Sequence, residues 1–237
     1  MDRGLFPSRE RAQALILAGK VLVNDQKIDK SGAPVDADSS IRLLDQDLKY
    51  VSRGGLKLEH AIEHWQIDLT GTICMDVGAS TGGFTDCMLQ HAASRVIAID
   101  TGYGQMDFKV RQDSRVRLLE KTNARYLTHD AVGEYVDFIA IDVSFISVTL
   151  VLPSVVKAAF PDNPKGRVAV VLIKPQFEAG REFVGKGGIV RDENAQQASI
   201  DKVRGSIAAL GAAQMEVIDS PILGGEGNRE FLLYARF

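Results

Sequence analysis

Cysteine is scarce in this chain. Only Cys74 and Cys87 occur among 237 residues, the first in an apolar strand-like run and the second in a helical stretch, and no metal-ligand spacing relates them. No metal site and no structural disulfide is expected. Long apolar runs are missing too, and nothing approaches the roughly 20 residues that a membrane-spanning helix needs. Residues 1–11 lack an apolar stretch and are charged throughout, so no secretory signal is read there; the chain is expected to be soluble and cytoplasmic. An excess of positive charge is also lacking. Lys and Arg number 28 against 31 Asp and Glu, a net −3, so contact with nucleic acid has to come from local clusters. The four histidines, His60, His64, His91 and His129, are scattered and suggest no site.

What is present is a globular composition, 45% hydrophobic and 25% charged, at a length that suits one catalytic domain with its own core plus a small module. The expected division is residues 1–50 and 51–237.

In the first fifty residues, Ala12, Leu15, Ile16 and Ala18 recur at helical spacing, with Ser8 available as N-cap and Gly19 as stop. Residues 20–24 read as a strand, Asp25-Gln26 as a tight turn, and residues 27–30 as the returning strand. Pro34 breaks the pattern, and residues 40–44 make another short strand. Ser8 at the helix start and Arg9 and Arg11 on the helix, with Lys20, Lys27 and Lys30 around the hairpin, form a candidate face for phosphate contacts, although charge alone favours a solvated surface. The string SRERAQALILAGKVLVND resembles the alpha-L RNA-binding motif of a small-subunit ribosomal protein and many pseudouridine synthases. That family begins with one more helix, so this module is expected to be truncated, with reduced RNA affinity. Asp25 stands where the family has Gly, which a type I′ turn tolerates.

Residues 49–55 have turn chemistry, and Gly54-Gly55 read as flexible; Leu58, Ala61, Ile62 and Trp65 then form a helical stripe. Arg53 joins the candidate RNA contacts. Lys57 falls in the first turn, off the stripe, where a lysine is ordinarily just solvated.

Residues 73–77 make a short apolar strand, followed by Gly78-Ala79-Ser80-Thr81-Gly82-Gly83-Phe84 and a helical run, that is, a strand, glycine loop and helix. Glycines let backbone approach a ligand closely, and the helix start offers free N–H groups. Asp100 ends the next strand, 22 positions after Gly78, where a Rossmann-like fold places an acid for ribose hydroxyls. The spacing is neither the dinucleotide G-x-G-x-x-G nor a P-loop, so neither NAD nor ATP is favoured. DVGASTGGF instead resembles the S-adenosylmethionine loop of class I methyltransferases. That resemblance assigns Asp76, Gly78, Ala79, Ser80, Gly82, Gly83, Phe84 and Asp100 to the cofactor, with Asn123 and Ala124 after a third strand at the adenine edge.

Asp142 ends an apolar strand over residues 136–141, and Lys174 ends another over 167–173. In open α/β sheets that carboxyl rim is where ligands bind. Glu230 would face the same rim if the terminal strand, 231–237, runs antiparallel, with Glu226 as a competitor. Residues 179–193 form a loop long enough to be a lid or binding loop, with Arg181, Lys186 and Arg191 as further phosphate contacts. Ile200, Val203, Ile207 and Leu210 mark a buried helix face closed by Gly211.

Taken in order, SRGGLKL, DVGASTGGF, IDVSF, LIKPQFE and GNREFLLY resemble the TlyA family within the FtsJ-like RNA methyltransferases, across essentially the whole chain. The resemblance implies an α/β fold, a Rossmann-like class I methyltransferase domain with a mostly parallel seven-stranded sheet and an antiparallel last strand, behind a small α+β RNA-binding module. It implies the catalytic set Lys57, Asp142, Lys174 and Glu230, with Asp142 also beside the cofactor. It further implies 2′-O-methylation of cytidine ribose in ribosomal RNA, with ribosomal RNA or subunits as partners and no membrane. A ribose hydroxyl must lose its proton as it attacks; a neutral Lys174 is the expected base, helped by a neighbouring cation such as Lys57 and by partial burial. No Asn-Pro-Pro-Tyr follows the fourth strand, which disfavours exocyclic amines, and neither cysteine suits attack on a pyrimidine ring. The competing readings are a membrane-active hemolysin-like protein, a non-catalytic RNA-binding scaffold, and a methyltransferase for protein or small molecules.

Overall fold

The structure is a computed structural model that describes residues 9–17, 19–24, 26–36, 38–43, 49–162, 164–224 and 227–237. The chain divides into two compact units, Met1–Leu48 and Lys49–Phe237.

In the first unit, α1 (Arg9–Leu17) is followed by a three-stranded antiparallel sheet in the order β2-β1-β3, made of β1 (Val21–Val23), β2 (Gln26–Ile28) and β3 (Ile41–Leu43). Gly19 ends the helix at φ +63°, and a Cβ there would lie 2.0 Å from the Lys27 side chain, so the β2 lysine crosses the helix stop. Arg9, Lys27 and Lys30 are exposed and Lys20 is half-buried. Ser8, Asp25 and the side chain of Arg11 lie outside the described residues.

The second unit is a seven-stranded sheet in the order β6-β5-β4-β7-β8-β10-β9. Its strands are β4 (Ile73–Val77), β5 (Arg95–Ile99), β6 (Val116–Leu119), β7 (Phe138–Ile141), β8 (Val168–Ile173), β9 (Gln214–Asp219) and β10 (Phe231–Arg236). β4 to β8 are parallel, and β10 is antiparallel to both β8 and β9. This is the fold that the resemblance implies. Residues alternate across the sheet as strand geometry demands. Met75, Val77, Ile139 and Ile141 pack on one side with α6 (Leu152–Ala159) and α8 (Glu193–Ala209). Cys74, Phe138 and Val170 pack on the other with α2 (Gly54–His64) and α3 (Gly83–Gln90). Short helices α4 (Phe108–Arg111), α5 (His129–Val132) and α7 (Pro175–Glu178) complete the order.

Three features shape the carboxyl rim of the sheet. Strand order reverses between β4 and β7, and ligands in open α/β sheets bind outside the carboxyl ends at such a switch point. Phe231 pairs with Ile173 in the antiparallel register, so Glu230 sits directly across from Lys174, one step beyond each strand. Gly54-Gly55 are not flexible as expected: they open α2, and a Cβ on Gly55 would lie 2.3 Å from the buried Tyr50 ring. Close packing, rather than mobility, is what Gly55 serves.

Candidate active site

The loop after β4 turns on three left-handed positions, Gly78 at φ +89°, Ser80 at φ +47° and Gly82 at φ +92°. A Cβ on Gly78 would collide with the Asp142 backbone, so glycine is what lets the loops after β4 and β7 touch. The backbone N–H of Ser80 donates to Asp100 Oδ2 at 2.7 Å and that of Gly102 to Asp100 Oδ1 at 2.6 Å. The carboxylate is therefore held rigidly at the end of β5.

A cavity of about 420 Å³ opens between these loops, within the range of small-molecule sites. Gly78, Ser80, Asp100, Asn123, Ala124 and Asp142 line it. Ile99 also lines it, and the rest of its wall went unread in the sequence: Thr101, Gln105 and Thr122, with Val143, Ser144, Phe145, Ile146 and Val151. Proximity to the strand-end acids was the available signal for residues 143–146; Gln105 carried none. Phe145 is 92% exposed and has φ +66°, a conformation that costs a non-glycine residue of order 1–3 kcal/mol.

A second cavity of about 250 Å³ shares Gly78, Ser80 and Asp142 with the first. Arg53, Lys57, Ala79, Gly83, Phe84 and Ile222 are also on its wall. Asp76 and Gly82 line neither of the two. Gly82 packs against Met106 and Val110. Asp76 is fully buried on the α3 side, where Thr85 Oγ1 donates to its Oδ2 at 2.6 Å while Oδ1 has no partner. Burial pushes its carboxyl up to about 7.

The four residues of the expected catalytic set come together as two ion pairs. Lys57 Nζ lies 2.5 Å from Glu230 Oε2, both buried. Lys174 Nζ lies 2.5 Å from Asp142 Oδ1 and donates to Ser144 Oγ at 2.8 Å. The Lys174–Asp142 contact is close but lacks hydrogen-bond alignment, so charge rather than a directed bond holds it. Lys57 and Asp142 face the second cavity; Lys174 and Glu230 stand behind them. Lys57 is thus buried rather than solvated, and the ion partner of each lysine is a carboxylate, not the other lysine. Glu226 lies outside the described residues. A Cβ on Gly224 would lie 2.4 Å from Glu230 Oε1, so the glycine-rich approach to β10 leaves room for this acid.

The segment between α7 and α8 contains two 3-10 turns, Arg181–Phe183 and Lys186–Gly188. Asn228, itself buried, ties it down by accepting from the Val190 N–H at 2.9 Å and donating to the Gly188 carbonyl at 2.9 Å. Arg181, Lys186 and Arg191 are exposed and make no ion pair among the described residues. No helix among the described residues is long and apolar enough to cross a membrane.

With this geometry in place, the chain matches the family model of FtsJ-like methyltransferases over residues 50–237 and that of the S4 domain over residues 2–41. A 16S/23S rRNA (cytidine-2′-O)-methyltransferase TlyA of Mycobacterium tuberculosis is 42% identical, over 99% of this chain and 86% of its own. A structure from Streptococcus thermophilus that carries a hemolysin designation superposes with a TM-score of 0.76 at 42% identity, covering 99% of this chain and 85% of that one. At the level of fold alone, an O-methyltransferase of Bacillus cereus, solved in complex with SAH, has a TM-score of 0.53 at 17% identity, covering 79% and 82%.

Proposed function

The chain belongs to the FtsJ-like methyltransferase family, and from that premise we propose that it uses S-adenosylmethionine to methylate a ribose 2′-hydroxyl, that of a cytidine in ribosomal RNA. The observation that carries this reading is that a carboxylate, that of Asp142, stands on the wall of both cavities with Lys174 against it. Donor and acceptor chambers would then meet at a point where a lysine and a carboxylate are both at hand.

The larger cavity fits the cofactor in volume and in chemistry. Asp100, fixed by two backbone N–H groups, presents remaining lone pairs to ribose hydroxyls. Asn123 and Ala124 would border the adenine, and the carboxylate of Asp142 suits the neighbourhood of a sulfonium cation. Ala79, Gly83 and Phe84 would shape the passage from the second cavity, while Asp76 and Gly82 would support the loop from behind. When bound, S-adenosylmethionine supplies an electrophilic methyl group.

The protein's own part is to bind, orient and manage one proton. Lys57, held by Glu230, would steer the incoming sugar-phosphate at the smaller cavity. Lys174 in its unprotonated form would accept the hydroxyl proton, with Ser144 fixing its direction and Asp142 balancing the ammonium charge that forms. Holding the hydroxyl oxygen on axis can contribute about 7–11 kcal/mol through proximity and orientation. Arg53 at the second cavity, with Ser8, Arg9, Arg11, Lys20, Lys27 and Lys30 of the S4 domain, would contact RNA phosphates, and Arg181, Lys186 and Arg191 would add to them. Ribosomal RNA or a subunit in the cytoplasm is the proposed partner.

The test is incorporation of labelled methyl into ribosomal RNA by purified protein, with and without residues 1–48. Deletion should weaken RNA binding and flatten its salt dependence; no change in either would make RNA the wrong acceptor. The hemolysin designation of the Streptococcus thermophilus structure makes membrane activity the second reading. Leakage of liposomes under the purified protein would favour it.

A further inference from the structure

The motif LIKPQFE contributes Lys174 to the proposed mechanism and leaves its glutamate unused. Glu178 ends α7, the single helical turn that Lys174 begins, yet its side chain is only 2% exposed. A carboxylate so buried has to be paired and hydrogen-bonded, and it is. Its Oε2 accepts from Ser147 Oγ at 2.5 Å and its Oε1 from the Val148 N–H at 2.6 Å. Lys202 on α8 pairs with Oε2 at 3.0 Å and also donates to the Glu178 carbonyl at 3.0 Å.

Ser147 and Val148 close the segment that leaves β7 at Asp142. Between them, Val143, Ser144, Phe145 and Ile146 form one wall of the larger cavity, with Phe145 in a left-handed conformation. Ser147 offers no side-chain cap to the 3-10 turn Val148–Leu150 that comes next. The N–H of Val148 would be orphaned without Glu178. At the other end of the segment, Lys174 grips Asp142 and Ser144. One helical turn, rising about 1.5 Å per residue, therefore holds both ends of the wall.

Building on the reading of the larger cavity as the cofactor site, we infer that Glu178 is a positioning residue for methyl transfer, clamping residues 142–148 so that the cavity wall and the Lys174 contacts are formed before the cofactor arrives. Its action runs through Ser147 and Val148, and it touches neither cofactor nor acceptor. A side chain that merely stabilised the fold would lower the melting temperature and leave the affinity of the folded protein unchanged.

The experiment is calorimetric titration of the full chain with S-adenosylhomocysteine, alongside kcat and the KM for RNA. Glu178→Ala, removing two hydrogen bonds to a charged group, should raise the cofactor-site Kd about tenfold or more and lower kcat, with the KM for RNA unmoved. Glu178→Gln keeps an oxygen for the Val148 N–H and a partner for Ser147, and should restore Kd to within about threefold of wild type. If Glu178→Ala does not fold, Ser147→Ala, which removes the hydroxyl's bonds to Glu178 and Thr149 and no charge, should still weaken binding about threefold. Wild-type affinity and kcat in folded Glu178→Ala, or in Ser147→Ala, would overturn the inference, as would a Gln variant no better than Ala. A wild-type protein that does not bind the probe would instead overturn the cofactor reading, and this inference with it.

Discussion

Gly78 and Asp142 meet at the switch point of the sheet so closely that a Cβ on Gly78 would lie 2.2 Å from the Asp142 carbonyl oxygen and 2.8 Å from its carbonyl carbon. The obstacle is backbone, which cannot turn aside as a side chain can, and φ at Gly78 is +89°. Gly78→Ala is therefore expected to push the two loops apart and raise the Kd for S-adenosylhomocysteine by about tenfold or more, since strain of this kind costs roughly 1–3 kcal/mol. Calorimetric titration checks it, and an affinity equal to wild type would show that the loops need not touch for binding.

Lys174 separates charge from proton transfer. Lys174→Arg keeps a cation that can pair with Asp142, but a guanidinium does not release its proton in proteins. The turnover of Lys174→Arg and of Lys174→Ala should fall by about 10²–10⁴-fold, the usual value of a general base, with cofactor affinity nearly intact in the arginine variant, which keeps a cation against Asp142. Substantial turnover in the arginine variant would leave Lys174 with an electrostatic part only.

Lys57 and Glu230 are buried together, and removing one partner of such a pair leaves an uncompensated charge worth about 3–5 kcal/mol. Lys57→Met alone should lower the melting temperature by roughly 6–12 °C for a loss near 3 kcal/mol in a domain of this size. The double variant Lys57→Met with Glu230→Gln should regain most of that temperature and none of the methylation. A double variant as unstable as the single one would deny that the two charges compensate each other.

Asp76 gives the fold a pH dependence of definite sign. Burial raises its carboxyl from 3.8 to about 7, so the folded chain holds the proton more tightly than the unfolded one. The stability this contributes is complete below the ordinary carboxylate range and is lost as pH rises through about 7, a span on the order of 4 kcal/mol. Asp76→Asn should remove that loss, so its melting temperature should change less than wild type between about pH 4 and pH 8. Parallel pH profiles for the two proteins would contradict it.

How much of this was legible in the sequence depends on what kind of signal each residue carries. Asp100, Asp142 and Lys174 announce themselves because each ends an apolar strand, and strand ends share one rim whatever the side-chain packing. Glu230 needed one extra step, the antiparallel direction of β10, and its register opposite Lys174 comes from that. Lys57 was hidden because helical periodicity alone puts it off the apolar stripe, while its burial depends on an acid 173 positions away. Gly55 was misread for a similar reason: a glycine required by the Tyr50 ring and one that merely loosens the chain look alike in sequence. β9 carried too weak an alternation to be read, since it is an edge strand half in solvent. The cavity wall at residues 143–146 depends on how the loop after β7 is pinned by Glu178, a contact no local pattern encodes.

Nucleoside mass spectrometry decides whether a cytidine ribose in ribosomal RNA receives the methyl group at the junction that Asp142 and Lys174 share. Ribosomal RNA would be incubated with S-adenosylmethionine and either the wild-type chain or Lys174→Arg. 2′-O-Methylcytidine is expected at a defined position with the wild type and none above background with the variant. Methyl groups found on a base, on protein, or nowhere would contradict it.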